Sequence, residues 1–597
     1  MPPNRTPYQG GCRKVILAFD VGTTNSGISY CILEPGLVPE VRSVTRYPAQ
    51  TQSGQDCKIP SIVYYDREGH ARAFGAEALQ EEVQYEAEAN SWMLAEWFKL
   101  YLPTGNLNRL QEAEPNQQPL PRIPPNKTPM EIFADFIRYL YGWAKIHISQ
   151  IHGDDGYWNI IEGTTEFVIT HPNGWEGVDQ MKLRMVACQA GLVPNTTRGH
   201  TRVHFVTEGE ACLHHCIHNL AQSYPDIQSM KNVMIIDAGG GTIDFSTYST
   251  IHRAKLSPNA CFEEVAVPQT RLAGSVFVTK AFERHVKARL PDNHQNDVVN
   301  IVREFDRTTK LRFTDASQTS FVRFGGWNDH EPALNINHGK LLVSGDDMRL
   351  FFEESVQSIM TTAEQQIQAA YDDFNKPIEE SLHRADSFVA FLVGGFATNE
   401  WLYSNLKTHL EQLGVLLLRP ETYVNKATAN GAIDYFLDNF VSVRMSRYTY
   451  GIEFERTYEP GNQEHRPRRH TRYRALSGWQ FTRVKENECY SVSFDRESET
   501  REELKVVPVE ILVYQGQTQD PQWMDDEPGK FRVLAKIHAD TSELARSLKP
   551  LTSPRGRYFQ VEFDVVLIFG LTELKAEIQW LEKGRMKRTP AHIIYET

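Results

Sequence analysis

Val15-Ile16-Leu17-Ala18-Phe19-Asp20-Val21-Gly22-Thr23-Thr24-Asn25-Ser26-Gly27 opens the legible part of the chain. Five consecutive apolar residues read as a strand buried on both faces. The strand runs through Asp20 into a turn-rich stretch and re-enters a strand at Ile28–Leu33, giving a β-hairpin with an acid at its entrance. The same grammar returns at Val233-Met234-Ile235-Ile236-Asp237-Ala238-Gly239-Gly240-Gly241-Thr242-Ile243-Asp244, followed by Phe245–Tyr248. Two units on one plan predict an internally duplicated α/β fold of two similar lobes.

A third signal is Phe388-Val389-Ala390-Phe391-Leu392-Val393-Gly394-Gly395-Phe396, a buried strand that runs into a diglycine. A helix should follow to Leu413, with Thr398 or Asn399 as its N-cap and Gly414 ending it in the left-handed conformation. Thr128-Pro129-Met130-Glu131 has capping-box spacing with Pro at the first helical position, which predicts a helix to about Ile148. Asp347–Tyr371 reads as a long amphipathic helix. Seven prolines between Pro103 and Pro129 mark an exposed insertion. After about Asn439 the texture changes to short strand-like runs, Lys505–Tyr514, Phe531–His538 and Tyr558–Leu567, separated by Gly, Pro and charged turns. The expected organisation is a flexible N-terminus (1–13), an α/β domain (14–437, with lobes at about 14–232 and 233–437), a linker (438–446, centred on Val441–Ser446) and a β-rich domain (447–597).

Composition narrows the function classes. The 597 residues are 41% hydrophobic and 23% charged, with a net charge of -13. That balance argues against nucleic acid and against an anionic membrane as partners. No apolar run approaches the roughly 20 residues that span a bilayer. Eight cysteines with no CxxC pair give no disulfide framework. With no secretory signal visible at Met1-Pro2-Pro3-Asn4, a cytoplasmic setting is expected, with the nucleus also compatible. Cys212-Leu213-His214-His215-Cys216 puts three zinc-type ligands on one helix face but offers no fourth, so helix packing is the preferred reading. His465–Arg474, with five arginines, reads first as a loop between strands.

The hairpins suggest phosphate chemistry. A nucleoside triphosphate needs backbone N–H groups that can approach its oxygens, hence Gly at a turn tip, and carboxylates to receive the waters of Mg²⁺. No GxxxxGK[ST] pattern occurs. Gly22, Thr23, Thr24 and Asn25 from one lobe and Gly239, Gly240 and Gly241 from the other could cradle phosphates, with Asp20 and Asp237 facing the metal through waters. Either hairpin alone reads first as a plain β-turn rich in Gly and Asp; the pair with the late diglycine is far more specific.

These residues resemble the actin-like ATPase superfamily in its heat-shock 70 version. Asp20–Ser26 is similar to that family's first phosphate motif, Asp237–Asp244 to its second, and Val393–Phe396 to its adenosine motif. Phe167–Pro172 resembles the strand before its first connecting helix, Lys58–Val63 a strand entrance, and Ala429–Ala432 the second connecting helix. The resemblance implies a two-lobed, ribonuclease-H-like duplicated domain holding ATP or ADP with magnesium in the interlobe cleft. It implies catalytic roles for Asp20, Lys99, Glu208, Asp237 and Thr242. It implies nucleotide contacts for Gly22, Thr23, Thr24, Asn25, Gly239, Gly240, Gly241, Asp244, Asp306, Lys310, Gly394, Gly395 and Phe396. Tyr448–Glu453 and Val509–Gly516 resemble the family's peptide-binding β-sandwich, without room for its helical lid. The function implied is a slowly hydrolysing chaperone ATPase, with unfolded peptides, client proteins and co-chaperones as partners. Gly209-Glu210 departs from the family's Pro-Thr after the acid, which bears on coupling to the β domain more than on ATP binding. A nucleotide-dependent scaffold without turnover, and a sugar or polyol kinase of the same superfamily, stay open as alternatives.

Overall fold

The computed structural model describes the chain except residues 1–4, 51–56, 104–120, 153–157, 159–160, 176, 221–223, 225–226, 228–229, 252–260, 292–294, 373–387, 421–425, 439–440, 446–448, 456–458, 460, 464, 467–473, 480–482, 486–487, 517, 519–520, 522, 554–555, 570–573, 583 and 591–597. Its architecture is mixed α/β. By contacts the chain divides into two compact units, Met1–Trp175 with Lys182–Val441, and Ser442–Thr597 with Glu176–Met181. Most of the proline-rich insertion and of the arginine-rich segment lies outside the described residues.

The first unit contains two sheets of one design. In the first, β1 (Lys14–Val21) pairs antiparallel with β2 (Asn25–Leu33), and β2 pairs with β3 (Val41–Ser43) and β4 (Lys58–Pro60). On the other side of β1 lie β5 (Glu166–His171) and then β6 (Val203–Thr207), both parallel. Helix α1 (Pro129–His152) buries Ile132, Phe133, Phe136, Ile137 and Leu140 in the core of this sheet. Helix α2 (Glu208–Leu220) follows β6 without a break.

The second sheet repeats the order. β7 (Asn232–Ala238) pairs antiparallel with β8 (Ile243–Thr250), which pairs with β9 (Phe262–Glu264). β10 (Phe388–Val393) and then β11 (Leu416–Leu418) lie parallel on the far side of β7. Helices α3 (Ser275–Arg289), α4 (Gly345–Asp372) and α5 (Glu400–Gln412) pack their apolar faces on it. Every residue of β7, β8 and β10 is buried, as expected of central strands covered on both faces, although β8 carries Asp, Ser and Thr among its apolar residues.

Two helices cross between the sheets. α2 leaves the first sheet and buries Cys212, Leu213, Cys216 and Ile217 against Val233, Ile235 and Tyr248 of the second. α6 (Ala427–Asp438) comes after β11 in the chain, yet its Asn430 accepts a 2.6 Å hydrogen bond from Ser29 of β2. The crossing is so close that a Cβ on Gly431 would run into the carbonyl of Ala211.

Local signals hold where the chemistry is local. Glu131 N–H donates to Thr128 Oγ1 at 3.3 Å, and Thr128 N–H donates to Glu131 Oε2 at 2.8 Å, the reciprocal capping box. α1 extends one turn past the expected Ile148. Asn399 caps α5, its Oδ1 accepting from Leu402 N–H at 2.9 Å, and Gly414 ends it at φ +71. Replacing the capping hydroxyl, Thr128→Ala, should cost about 1 kcal/mol in a urea melt with the native far-UV spectrum retained; a variant as stable as wild type would show the box to be incidental.

The division at Val441/Ser442 falls inside the expected linker, and both that segment and the N-terminus carry structure. From residue 5 onward the N-terminus makes contacts: Arg5 is ion-paired with Asp434 and Asp438 of α6, and Tyr8 exchanges backbone hydrogen bonds with Gly36 and Leu37. The buried guanidinium anchors what composition alone reads as a tail. The expected linker is a strand over Val441–Met445, paired antiparallel with Arg483–Lys485; alternating Val-Ser-Val already carried that signal.

The second unit holds two antiparallel sheets. One runs in the order Arg474–Trp479, Thr449–Glu455, Val506–Tyr514, Phe531–Asp540. The other runs Glu488–Ser498, Gly556–Phe569, Leu574–Glu582, Arg585–Pro590. Ile452, Ile511, Val513 and Ile537 of the first share one core with Val561, Val565, Leu567 and Ile578 of the second. The two sheets thus pack over a shared apolar core.

Candidate functional site

The β1–β2 and β7–β8 turns meet tip to tip. A Cβ added to Gly240 would collide with Thr24 Oγ1, and one added to Gly241 would lie 2.7 Å from Thr23 Oγ1. Glycine is required at these tips by close approach, not by φ. Each turn is braced from outside. Ser61 Oγ donates to the Gly22 carbonyl at 2.8 Å and its N–H to that of Thr24, also at 2.8 Å. The start of α3 holds the other turn, Val276 N–H donating to Gly240 O at 2.9 Å and Ser275 N–H to Gly239 O at 3.2 Å. Asn25 is exposed, its Nδ2 3.3 Å from Thr24 Oγ1, and Thr242 is half-buried within the second turn.

Beneath the tips lie three acids and two lysines. Asp20 and Asp237 end their strands with only 3% and 6% of their surface exposed. Lys58 Nζ is 2.6 Å from Asp20 Oδ2. Lys99 is buried and ion-paired with Glu208, with Trp175 6.0 Å from its ammonium. Lys99 stands on a short 3₁₀ turn, Phe98–Tyr101, that starts from a left-handed Trp97 at φ 54. Burial pushes the Asp237 carboxyl well above the usual carboxylate range, and Glu208 and Asp20 push it further. Burial likewise raises Glu208, against the pull of Lys99. The Lys58 ammonium is depressed by burial but more than restored by Asp20, then Asp237 and Glu208, so its pKa stands above normal. Three carboxylates against two ammoniums leave room for a further cation in charge terms, and carboxylate oxygens are the donors Mg²⁺ prefers.

The remaining expected contacts divide. Gly394, at φ +90, adjoins Asp237, whose Oδ1 its Cβ would strike, and Gly395 opens to solvent. Phe396 is instead a core residue, 6.1 Å from Phe352. Lys310 donates to the Ser275 carbonyl at 3.2 Å and to Thr279 Oγ1 at 3.1 Å, and pairs with Asp306, at the head of α3 beside the second turn. A π-helical turn over Phe305–Thr309 rotates this pair toward α3, the kind of irregularity that collects at functional sites. Asp244 Oδ1 accepts from Asn173 N–H at 2.9 Å and from Thr270 Oγ1 at 2.7 Å, which ties β8 to the segment that follows β5. Burial raises its carboxyl too, with Glu208 adding to the shift.

Lys58, Ser61, Asn173 and Thr270 escaped sequence reading. Lys58 and Ser61 lay in a stretch legible only as a strand entrance, and Asn173 follows a strand with no spacing that marks it. Gly209, which departs from the family pattern, allows Ser246 to approach, since a Cβ there would hit Ser246 Oγ. The zinc geometry does not form: Cys212 Sγ lies 3.6 Å from Asp237 Oδ2 and 3.4 Å from Thr428 Oγ1, and Cys216 is in the apolar core. Among the described residues the one cluster with metal-ligand spacing is His218, Asp434 and Asp438, and Arg5 occupies it. No described helix is long and apolar enough to cross a membrane. Compared with known proteins, the chain matches no protein-family model and no curated relative.

Proposed function

We propose that this chain binds ATP with Mg²⁺ between its two sheets and hydrolyses it slowly, as an actin-like ATPase of the heat-shock 70 kind, with its β-sandwich as a peptide-binding module. The observation that carries the reading is the tip-to-tip meeting of two like hairpins over a buried floor of Asp20, Asp237, Glu208 and Lys99. The repeated strand order and the crossed helices α2 and α6 support the duplicated fold.

The residues present fit such a ligand. Gly239 N–H closes its own turn onto the Thr242 carbonyl at 3.0 Å, so the other tip N–H groups would have to meet phosphate oxygens, with Thr23 and Thr24 adding hydroxyl donors. Asp20 and Asp237 would accept from the waters of the metal, which supplies charge neutralisation at the phosphates. Lys99 would face phosphate and hold Glu208; Thr242 and Glu208 would orient water. Gly395 would give a nucleoside open backbone, and Lys310 with Asp306 lies close by. Contact with both turns would let a triphosphate bias how the sheets close.

Single-turnover hydrolysis of ATP tests the reading. Thr242→Ala should slow it about tenfold while leaving binding in place, because misplaced water costs rate and not affinity. Unchanged turnover would remove Thr242 from the reaction. A scaffold that binds nucleotide without turnover is the second reading. It is favoured by Lys58 and Lys99, which already engage the acids that would order the water; undetectable turnover beside tight binding would select it.

A further inference from the structure

Lys58 belongs to none of the motifs that mark the turns, yet it reaches the centre of the site. The register explains how. Asp20 on β1 faces Gly27 on β2, and Gly27 faces Lys58 on β4. The three stand in one cross-strand row, and side chains in such a row share a face. Because the middle position is glycine, the lysine stem can pass over β2. A Cβ at Gly27 would lie 3.1 Å from Lys58 Cγ. The stem carries the ammonium to 2.6 Å from Asp20, and Asp237 and Glu208 also act on its charge.

Resting on the nucleotide reading above, we propose that Lys58 is a resident cation of the site, which lets it hold a nucleoside diphosphate without a divalent metal. An ammonium on a flexible four-carbon stem has three donors and can serve a carboxylate and a phosphate oxygen together. Asp20 is its ion-pair partner among the described residues, and an ammonium has three donors, so one can turn to phosphate. A metal whose waters need Asp20 must compete with Lys58 for the same oxygen. Metal dependence of binding is therefore weak, while phosphate affinity depends on the lysine.

Calorimetric titration of ADP into the full chain, with Mg²⁺ and with excess EDTA, tests this. Wild type should keep its ADP affinity within about tenfold on metal removal. Lys58→Met should lose a further factor of about 10 to 100 in EDTA, the worth of one charged hydrogen bond, and Lys58→Arg should recover much of it. Should Lys58→Met alone fail to fold, Lys58→Met with Asp20→Asn removes the charges together and should show the same loss. Wild-type binding that vanishes in EDTA, or metal-free binding that survives Lys58→Met, overturns the role of Lys58 and leaves the nucleotide reading standing. A folded wild type that binds ADP in neither buffer overturns the nucleotide reading itself.

Discussion

Gly240→Val should lower ATP affinity at least about 100-fold while the protein still folds. The warrant is the space at the tip. Even one carbon at Gly240 would collide with Thr24 Oγ1 and lie 2.5 Å from its Cγ2, and valine adds two more carbons. Either the hairpins part or the side chain covers the N–H groups meant for phosphate; both remove donors that act as a set, and losing two charge-assisted hydrogen bonds costs about 3 kcal/mol or more. The turn is only half-buried, so the loss should fall on binding more than on the melting temperature. Titration calorimetry beside a thermal melt separates the two. Normal ATP affinity in a folded Gly240→Val protein would take the second hairpin out of the site.

Lys99→Met should have the largest effect on stability, about 3–5 kcal/mol, because it strands Glu208 as a buried carboxylate without its partner. Adding Glu208→Gln should restore much of the loss. The sign of the pH dependence follows from Glu208. Its folded pKa is already raised by burial, and removing Lys99 raises it further. The folded state then binds the proton more tightly than the unfolded chain, so the deficit is full above the folded pKa and shrinks as pH falls through it. Urea melts across that range would show it. A deficit that grows with acid would mean that Glu208 is not the group left uncompensated.

The parts of the fold that rest on local chemistry were legible in the residues. The capping box at Thr128, the cap at Asn399, the left-handed Gly414 and the two hairpins each carry their cause within a few positions. The late diglycine pointed to Gly394 beside Asp237, although its Phe396 turned inward to Phe352. What was not legible depends on partners distant in sequence. Lys58 gains meaning only when β4 pairs with β2 and Gly27 lies between it and Asp20. Asp244 looks like a phosphate-site acid until Asn173 and Thr270 are seen to occupy its Oδ1. Arg5 looks like part of a loose end until α6 brings Asp434 and Asp438 to it. The glycine at 209 reads as a broken motif, and its reason, the approach of Ser246, lies on another strand.

The central claim is that the two hairpins form one phosphate-binding site. Calorimetric titration of ATP with Mg²⁺ into the full chain tests it most directly. The account predicts saturable binding at one site per chain with a Kd on the order of micromolar or tighter, about −8 kcal/mol, that is lost in Gly240→Val. A folded protein that shows no saturable heat up to about 1 mM ATP, weaker than roughly −4 kcal/mol, would contradict it.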